Sequence, residues 1–236
     1  MGKQTGFVGR IGSVIHYQMD GKFYTRSVPR KYKQTKATKA KSSEFGMAST
    51  IGMVIRQNLD SVIFDASDRK MHTRLVGLIY SWLQLARHSP ASNATQPSFH
   101  EFKFNSVGAG LSARLNFKIK ITQPASGQIQ IFIPSLVPKN AFRAPKRAMT
   151  VVCKIASVVI DIEKKEAIGI AEDEISYDLN DKKVEAKNII QTLPKKAGTL
   201  LLTGLCLEYV TMRGYNRVKV NDKQFQPSQF IYTVHQ

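Results

Sequence analysis

Acidic residues are scarce in this chain of 236 residues. Seventeen Asp and Glu stand against thirty-five Lys and Arg, a formal net charge of +18. That shortage excludes a self-neutralising surface. A compact body with such an excess repels itself and gains from contact with a polyanion or an acidic surface. Nucleic acid is one such partner, because neutralising its phosphates releases counterions. Cysteine is nearly absent. Cys153 and Cys206 are too few for a disulfide scaffold. They read as reduced, buried thiols of a cytoplasmic protein, the alternative being one bridge between facing strands. Long apolar runs are missing too. Met1 to Ile15 contains Gly2, Gly6, Gly9 and Gly12 but no apolar run long enough for a signal peptide. The most apolar helical stretch, Leu75 to Ala86, is interrupted by Ser81 and Gln84. A membrane span needs roughly 20 apolar residues, so no membrane partner is expected.

Catalytic patterns are equally sparse. The histidines His16, His72, His88, His100 and His235 share no metal-ligand spacing. Gly108-Ala109-Gly110 lacks the rest of a dinucleotide fingerprint, and neither a P-loop nor a Gly-x-Ser-x-Gly elbow occurs. Glu172-Asp173-Glu174 reads as an exposed acidic turn rather than a cation site. The expectation is a protein that is not an enzyme and carries no cofactor and no metal.

The residues that are present fall into three regions: a basic arm (1–41), a two-helix segment with a polar loop (42–98) and a β-rich region (99–236). The arm holds ten cations, among them Arg10, Lys22, Arg26, Arg30, Lys31, Lys33, Lys36, Lys39 and Lys41, against Asp20 alone, a net +9. Two β-prone runs, Ser13–Tyr17 and Lys22–Arg26, flank Met19-Asp20-Gly21. Asp-Gly favours a tight type I′ turn, which predicts a hairpin. Beyond Pro29, Arg30 to Lys39 has no apolar period and should be extended or disordered when unbound.

From Ser42 the spacing of Phe45, Ala48, Gly52, Ile55, Leu59 and Val62 predicts a helix, capped by Ser42 or Ser43 with Glu44 in its first turn. A second helix, capped by Ser67 or Asp68, carries Met71, Leu75, Leu78, Trp82 and Leu85. The two should pair antiparallel. Beyond Phe99 short β runs follow: Leu115–Ile121, Gln128–Ile133, Met149–Ile162 as one bent strand or two, Ala167–Ala171, Ile175–Leu179, Thr199–Thr211, Arg217–Val220 and Phe230–Val234. Gly204 inside the most apolar run suggests a bulge or a close approach. The fold class is therefore α+β: a basic N-terminal arm with a β-hairpin, a helical hairpin and a C-terminal antiparallel β-sandwich of immunoglobulin-like kind.

Gly9-Arg10-Ile11-Gly12-Ser13-Val14, with Asp20-Gly21-Lys22-Phe23-Tyr24-Thr25-Arg26-Ser27-Val28-Pro29, resembles an uncharacterised protein family of Bacteroidota. That family opens on a Gly-rich hairpin and an Arg-Ser-x-Pro motif, continues into a helix with a Phe, and closes on an immunoglobulin-like β domain. The resemblance covers about the first 55 residues closely and the remainder in architecture only. It implies the fold and no activity. The longer basic segment and an acidic stretch depart from the family's pattern.

The interleaving of Tyr17, Phe23, Tyr24 and Tyr32 with Lys22, Arg26, Arg30, Lys31 and Lys33 points to polyanion binding. Cations meet phosphates, and rings stack on bases or sugars. The bland alternative is a cross-strand ring pair with solvated lysines. Lys139, Arg143, Lys146 and Arg147, around Pro138, Phe142 and Pro145, form a second basic cluster that reads as a surface loop. Between Asp161 and Glu185 the sign reverses: nine acids stand against four lysines, a net −5. Sequence-independent nucleic-acid binding through the arm is the first expectation. The alternative is a self-assembling subunit of a filament, sheath or particle, a homo-oligomer whose arm docks on the 161–185 segment of a neighbour.

Overall fold

The computed structural model describes residues 6–29, 35–63, 65–88, 99–100, 102–124 and 127–236. The chain divides into two compact units, Met1–Lys41 and Ser42–Gln236. In the first, β1 (Gly9–Ile11), β2 (Val14–Met19) and β3 (Lys22–Ser27) form an antiparallel sheet in that order. Asp20 (φ 52°) and Gly21 (φ 75°) close β2 onto β3. Positive φ at both central residues is what a type I′ turn requires, so the predicted hairpin is present. Gly12 (φ 57°) turns in a third strand, β1, too short to show as an apolar alternation.

Helix α1 spans Lys36–Asn58 and corrects the expectation of an extended or disordered tail up to Lys39. Its cap is Thr35, not Ser42 or Ser43. The Thr38 N–H donates to Thr35 Oγ1 at 3.1 Å, and the Lys39 N–H donates to the Thr35 carbonyl at 3.0 Å. Lys36-Ala37-Thr38-Lys39-Ala40-Lys41 has no apolar stripe, yet Ala and Lys are good helix formers, and the packed second half of the helix supports the first. Arg30, Lys31, Tyr32 and Lys33 lie outside the described residues, as do residues 89–98.

After α1, a short α2 (Asp60–Ile63) leads to α3 (Met71–His88). Asp68 precedes α3 and accepts the Lys70 N–H at 2.8 Å. The helices pair antiparallel. Glu44 meets Gln84, Phe45 lies against Tyr80, and a Cβ on Gly52 would come within 3.2 Å of Val76. Ala48, Ile51, Ile55 and Leu59 of this segment are buried, whereas Phe45 stays 54% exposed.

The second unit is built on a five-stranded antiparallel sheet: β6 (Thr150–Asp161), β7 (Glu166–Asp178), β9 (Thr199–Arg213), β10 (Asn216–Lys219) and β11 (Ser228–His235). The central strand β9 pairs with β6 on one side and with β11 and then β10 on the other. A three-stranded sheet of β4 (Lys120–Thr122), β5 (Gln128–Ile133) and β8 (Lys187–Thr192), ordered β4-β5-β8, packs on one face. This is a β-sandwich of immunoglobulin-like kind, with chain crossings between the sheets after β5, β7 and β8.

The helices cover the other face of the large sheet. Ala156, Val158, Ile160, Leu200, Leu202 and Cys206 face them, while Cys153, Ile155, Leu201, Leu205 and Tyr209 face the small sheet. A sheet buried on both sides explains why β6 and β9 read as unbroken apolar runs. It also places Cys153 and Cys206 on opposite faces, both free and buried. Trp82 packs on the helix side, against Phe99 and His235.

Several strand limits move. The expected strand Leu115–Ile121 is only Lys120–Thr122, because Leu111–Ala113 forms a 3-10 turn and Leu115 bridges to Phe142. Met149–Ile162 is one strand. The two strands expected between Ala167 and Leu179 are also one, β7, with Ile168 as the extra residue of a bulge. Glu172-Asp173-Glu174 is therefore mid-strand rather than a turn. Polar β8 showed no alternation strong enough to be read.

Candidate nucleic-acid interface

Strand parity sorts the arm's side chains. Tyr17 pairs with Tyr24, Ile15 with Arg26 and with Arg10, and Met19 with Lys22. Directly opposed residues share a face. One face of the sheet therefore carries Arg10, Lys22, Arg26, Tyr17 and Tyr24, with Ile15 and Met19. The other carries Ile11, Val14, His16, Gln18, Phe23 and Thr25. The three cations of β1–β3 thus lie on the same face as both tyrosines. The tyrosine rings stack with centroids 5.6 Å apart and planes at 22°. The Arg26 guanidinium sits 5.7 Å from the Tyr17 ring centre, within cation–π range. Arg10 Nε donates to the Gly12 carbonyl at 2.9 Å, which fixes its stem across the turn. All six residues of β3 are exposed.

Phe23 was expected among these groups and is not. It points to the other face, where a Cβ on Gly6 would fall 2.2 Å from its ring, so only glycine lets the chain lie there. That face is held by Phe7 edge-on to His16, whose Nδ1 is 2.9 Å from Thr25 Oγ1. Lys36, Lys39 and Lys41 lie in the first turns of α1, exposed, with no acidic residue in the first turn.

The second cluster belongs to the body. Lys139 sits in a short helix α4 (Pro138–Ala141), and Lys139, Arg143, Lys146 and Arg147 are all exposed. Arg143 Nε donates to Asn116 Oδ1 at 3.0 Å. Phe142, expected in the loop surface, is instead core, 5.5 Å from the Phe117 ring and 5.2 Å from Tyr177. Thr211 Oγ1 donates to the Arg147 carbonyl at 2.6 Å, which brings the β9–β10 hairpin alongside. Its tip holds Arg213, fully exposed Tyr215 and Arg217. This basic-aromatic tip was missed, although Arg213-Gly214-Tyr215-Asn216-Arg217 displayed it.

One set of ionised groups in the body is mutually engaged. Glu208, 8% exposed, lies 3.1 Å from Lys154 and 2.5 Å from Lys219, which also holds Asp65 at 2.7 Å. The Lys219 hydrogen bond keeps the Asp65 carboxyl below its ordinary value. Asp65, Lys154 and Glu208 line a cavity of about 150 Å³, and with Lys219 they satisfy one another, which marks a structural staple. A larger cavity of about 550 Å³ lies between Met47, Trp82, Leu83, Ile162, Glu163 and His235. Among the described residues, no group of three or more His, Cys, Asp or Glu is placed to hold a metal, and no helix is long and apolar enough to cross a membrane.

The chain matches no protein-family model and no curated protein. Among solved structures it is similar to a glycosyl hydrolase family 2 member from Bacteroides cellulosilyticus, at 12% identity and a TM-score of 0.23. The match covers 48% of this chain and 14% of that enzyme. At that TM-score the likeness assigns neither fold nor activity here.

Proposed function

We propose that this protein is a non-enzymatic, sequence-independent nucleic-acid-binding protein of the cytoplasm. The Arg10, Lys22 and Arg26 side chains take the phosphates, and the Tyr17–Tyr24 pair offers a ring surface to bases or sugars. One observation carries the reading: strand parity puts three cations and both tyrosines on a single exposed face, which a merely solvated hairpin does not need. The lysines at the start of α1 add support. Cations there are disfavoured by the helix dipole unless an anion lies nearby. The Arg143–Arg147 cluster and the Tyr215 hairpin tip are a second surface of the same chemistry on the body.

Binding of mixed-sequence single-stranded DNA and RNA, followed as a function of salt, tests this. The sheet's three cations alone give a slope of log K against log salt near −2, at about −0.7 per phosphate contact. Tyr17→Ala lowers affinity by about 1–3 kcal/mol through lost stacking and leaves that slope unchanged, whereas heparin, which has no bases, is insensitive to it. A flat salt response, or no binding near 50 mM salt, removes the reading.

A further inference from the structure

We propose that the outer edge of β7 accepts strand β3 from a second copy of this chain, so that copies join head to tail. This goes beyond nucleic-acid binding and does not depend on it. β7 is 13 residues long and pairs with β6 on one side; among the described residues no strand pairs with its other side. A long unpaired edge is a template for strand addition, and proteins usually blunt it with Lys or Pro. The sequence of β7, Glu-Ala-Ile-Gly-Ile-Ala-Glu-Asp-Glu-Ile-Ser-Tyr-Asp, contains neither, and its bulge at Ile168 lies outside the 170–174 stretch. Its charged side chains are all acidic, on a chain of net +18. The pattern repels no basic strand and attracts one.

The occupant follows from charge and length. β3 is an edge of the N-terminal sheet, six residues long and exposed throughout. The opposite edge, β1, has three residues and one cation. On β3, Lys22, Tyr24 and Arg26 share a face. On β7, Ile170, Glu172 and Glu174 share a face and are exposed, with Glu172 Oε1 also accepting the Ser61 hydroxyl at 2.8 Å. Side chains alternate with period two on both strands. Antiparallel pairing that aligns these faces sets Lys22 opposite Glu174, Tyr24 opposite Glu172 and Arg26 opposite Ile170, where Arg26 reaches Glu172 on the diagonal. Backbone hydrogen bonds supply affinity and the alternate side chains supply register, as in strand-addition complexes. The two surfaces differ, so the contact is heterologous and propagates into a ring or an open filament.

The test uses the full chain, freed of nucleic acid by nuclease and high-salt washing, in sedimentation velocity at 50 mM and 500 mM salt. The sedimentation coefficient should rise with concentration at low salt and return to the monomer value at high salt. Glu172→Lys with Glu174→Lys, and separately Lys22→Glu with Arg26→Glu, should each weaken association at least tenfold. An equimolar mixture of the two variants should restore it, because each then meets a complementary partner. Glu172→Gln with Glu174→Gln serves if a charge-reversed form fails to fold by circular dichroism, and should weaken association less than reversal. The β7 substitutions should leave single-stranded DNA affinity intact, which separates failure of this proposal from failure of the nucleic-acid reading. A monomer at every concentration at low salt, association lost on nuclease treatment, or a mixture that stays monomeric would overturn it.

Discussion

Gly204 marks a close approach of α2 to the sheet. A Cβ there would stand 3.0 Å from Val62 Cγ2 and 3.5 Å from the Phe104 ring. The close-approach reading applies, whereas the bulge lies in the partner strand β11, between Phe230 and Tyr232, and not in β9. Gly204→Val should cost about 1–3 kcal/mol of stability through overpacking. Val62→Ala in the same chain should recover part of that loss, read as a coupling energy from urea denaturation of the four forms. Charged residues set the response to acid. The Lys196 hydrogen bond and the Lys164 N–H hold the Asp161 carboxyl below its ordinary value of 3.8. For Asp68, burial pushes the other way, but the Ser106 N–H and hydroxyl, the Lys70 N–H and the Arg74 charge outweigh it. A carboxyl lowered in the fold adds stability that is fully present above its unfolded value and is lost as pH falls through the folded one. The melting temperature should therefore fall from about pH 4 downward. Asp68→Asn should flatten that fall and cost about 2 kcal/mol at neutral pH through its lost charged hydrogen bonds.

Elements with a local cause were legible, and those with a distant cause were not. Asp20-Gly21 displayed its turn in two residues. The doubly buried strands β6 and β9 showed as apolar runs but hid their limits, because a strand covered on both faces has no alternation to count. β8 is polar, and its placement depends on pairing with β5. The start of α1 was misplaced since Lys36 to Lys41 has propensity without an apolar stripe. Of the candidate site, the cations and tyrosines were visible, but their common face appeared only with the register, which also removed Phe23. Lys36 and Lys39 give a prediction at this scale. Replacing both with Glu should stabilise the first turns of α1 by about 0.3–1 kcal/mol each, seen as slower amide exchange there. The same change should weaken binding to single-stranded DNA. A helix start that gains nothing in protection would mean that the lysines are already compensated.

Across the whole molecule, charge is divided between an arm of net +9 and an acidic stretch of net −5, and two compact units carry the division. That imbalance was the plainest message of the sequence. The packing of helices on one side of the large sheet and the small sheet on the other was not readable, because it depends on which residues of β6 and β9 face which way. Saturating single-stranded DNA should slow tryptic cleavage within residues 1–41 about tenfold at ligand near ten times Kd, with cuts in the body unaffected; equal slowing in both units would mean general inhibition. The sealed sheet has a practical consequence. Burial pushes the Cys153 and Cys206 thiols up to about 12, so neither is a thiolate at neutral pH and neither can be reached by alkylating reagents. The native chain should be silent to a thiol-reactive dye, and Tyr215→Cys at the open hairpin tip would then give one addressable handle for fluorescence distance measurements without prior cysteine removal.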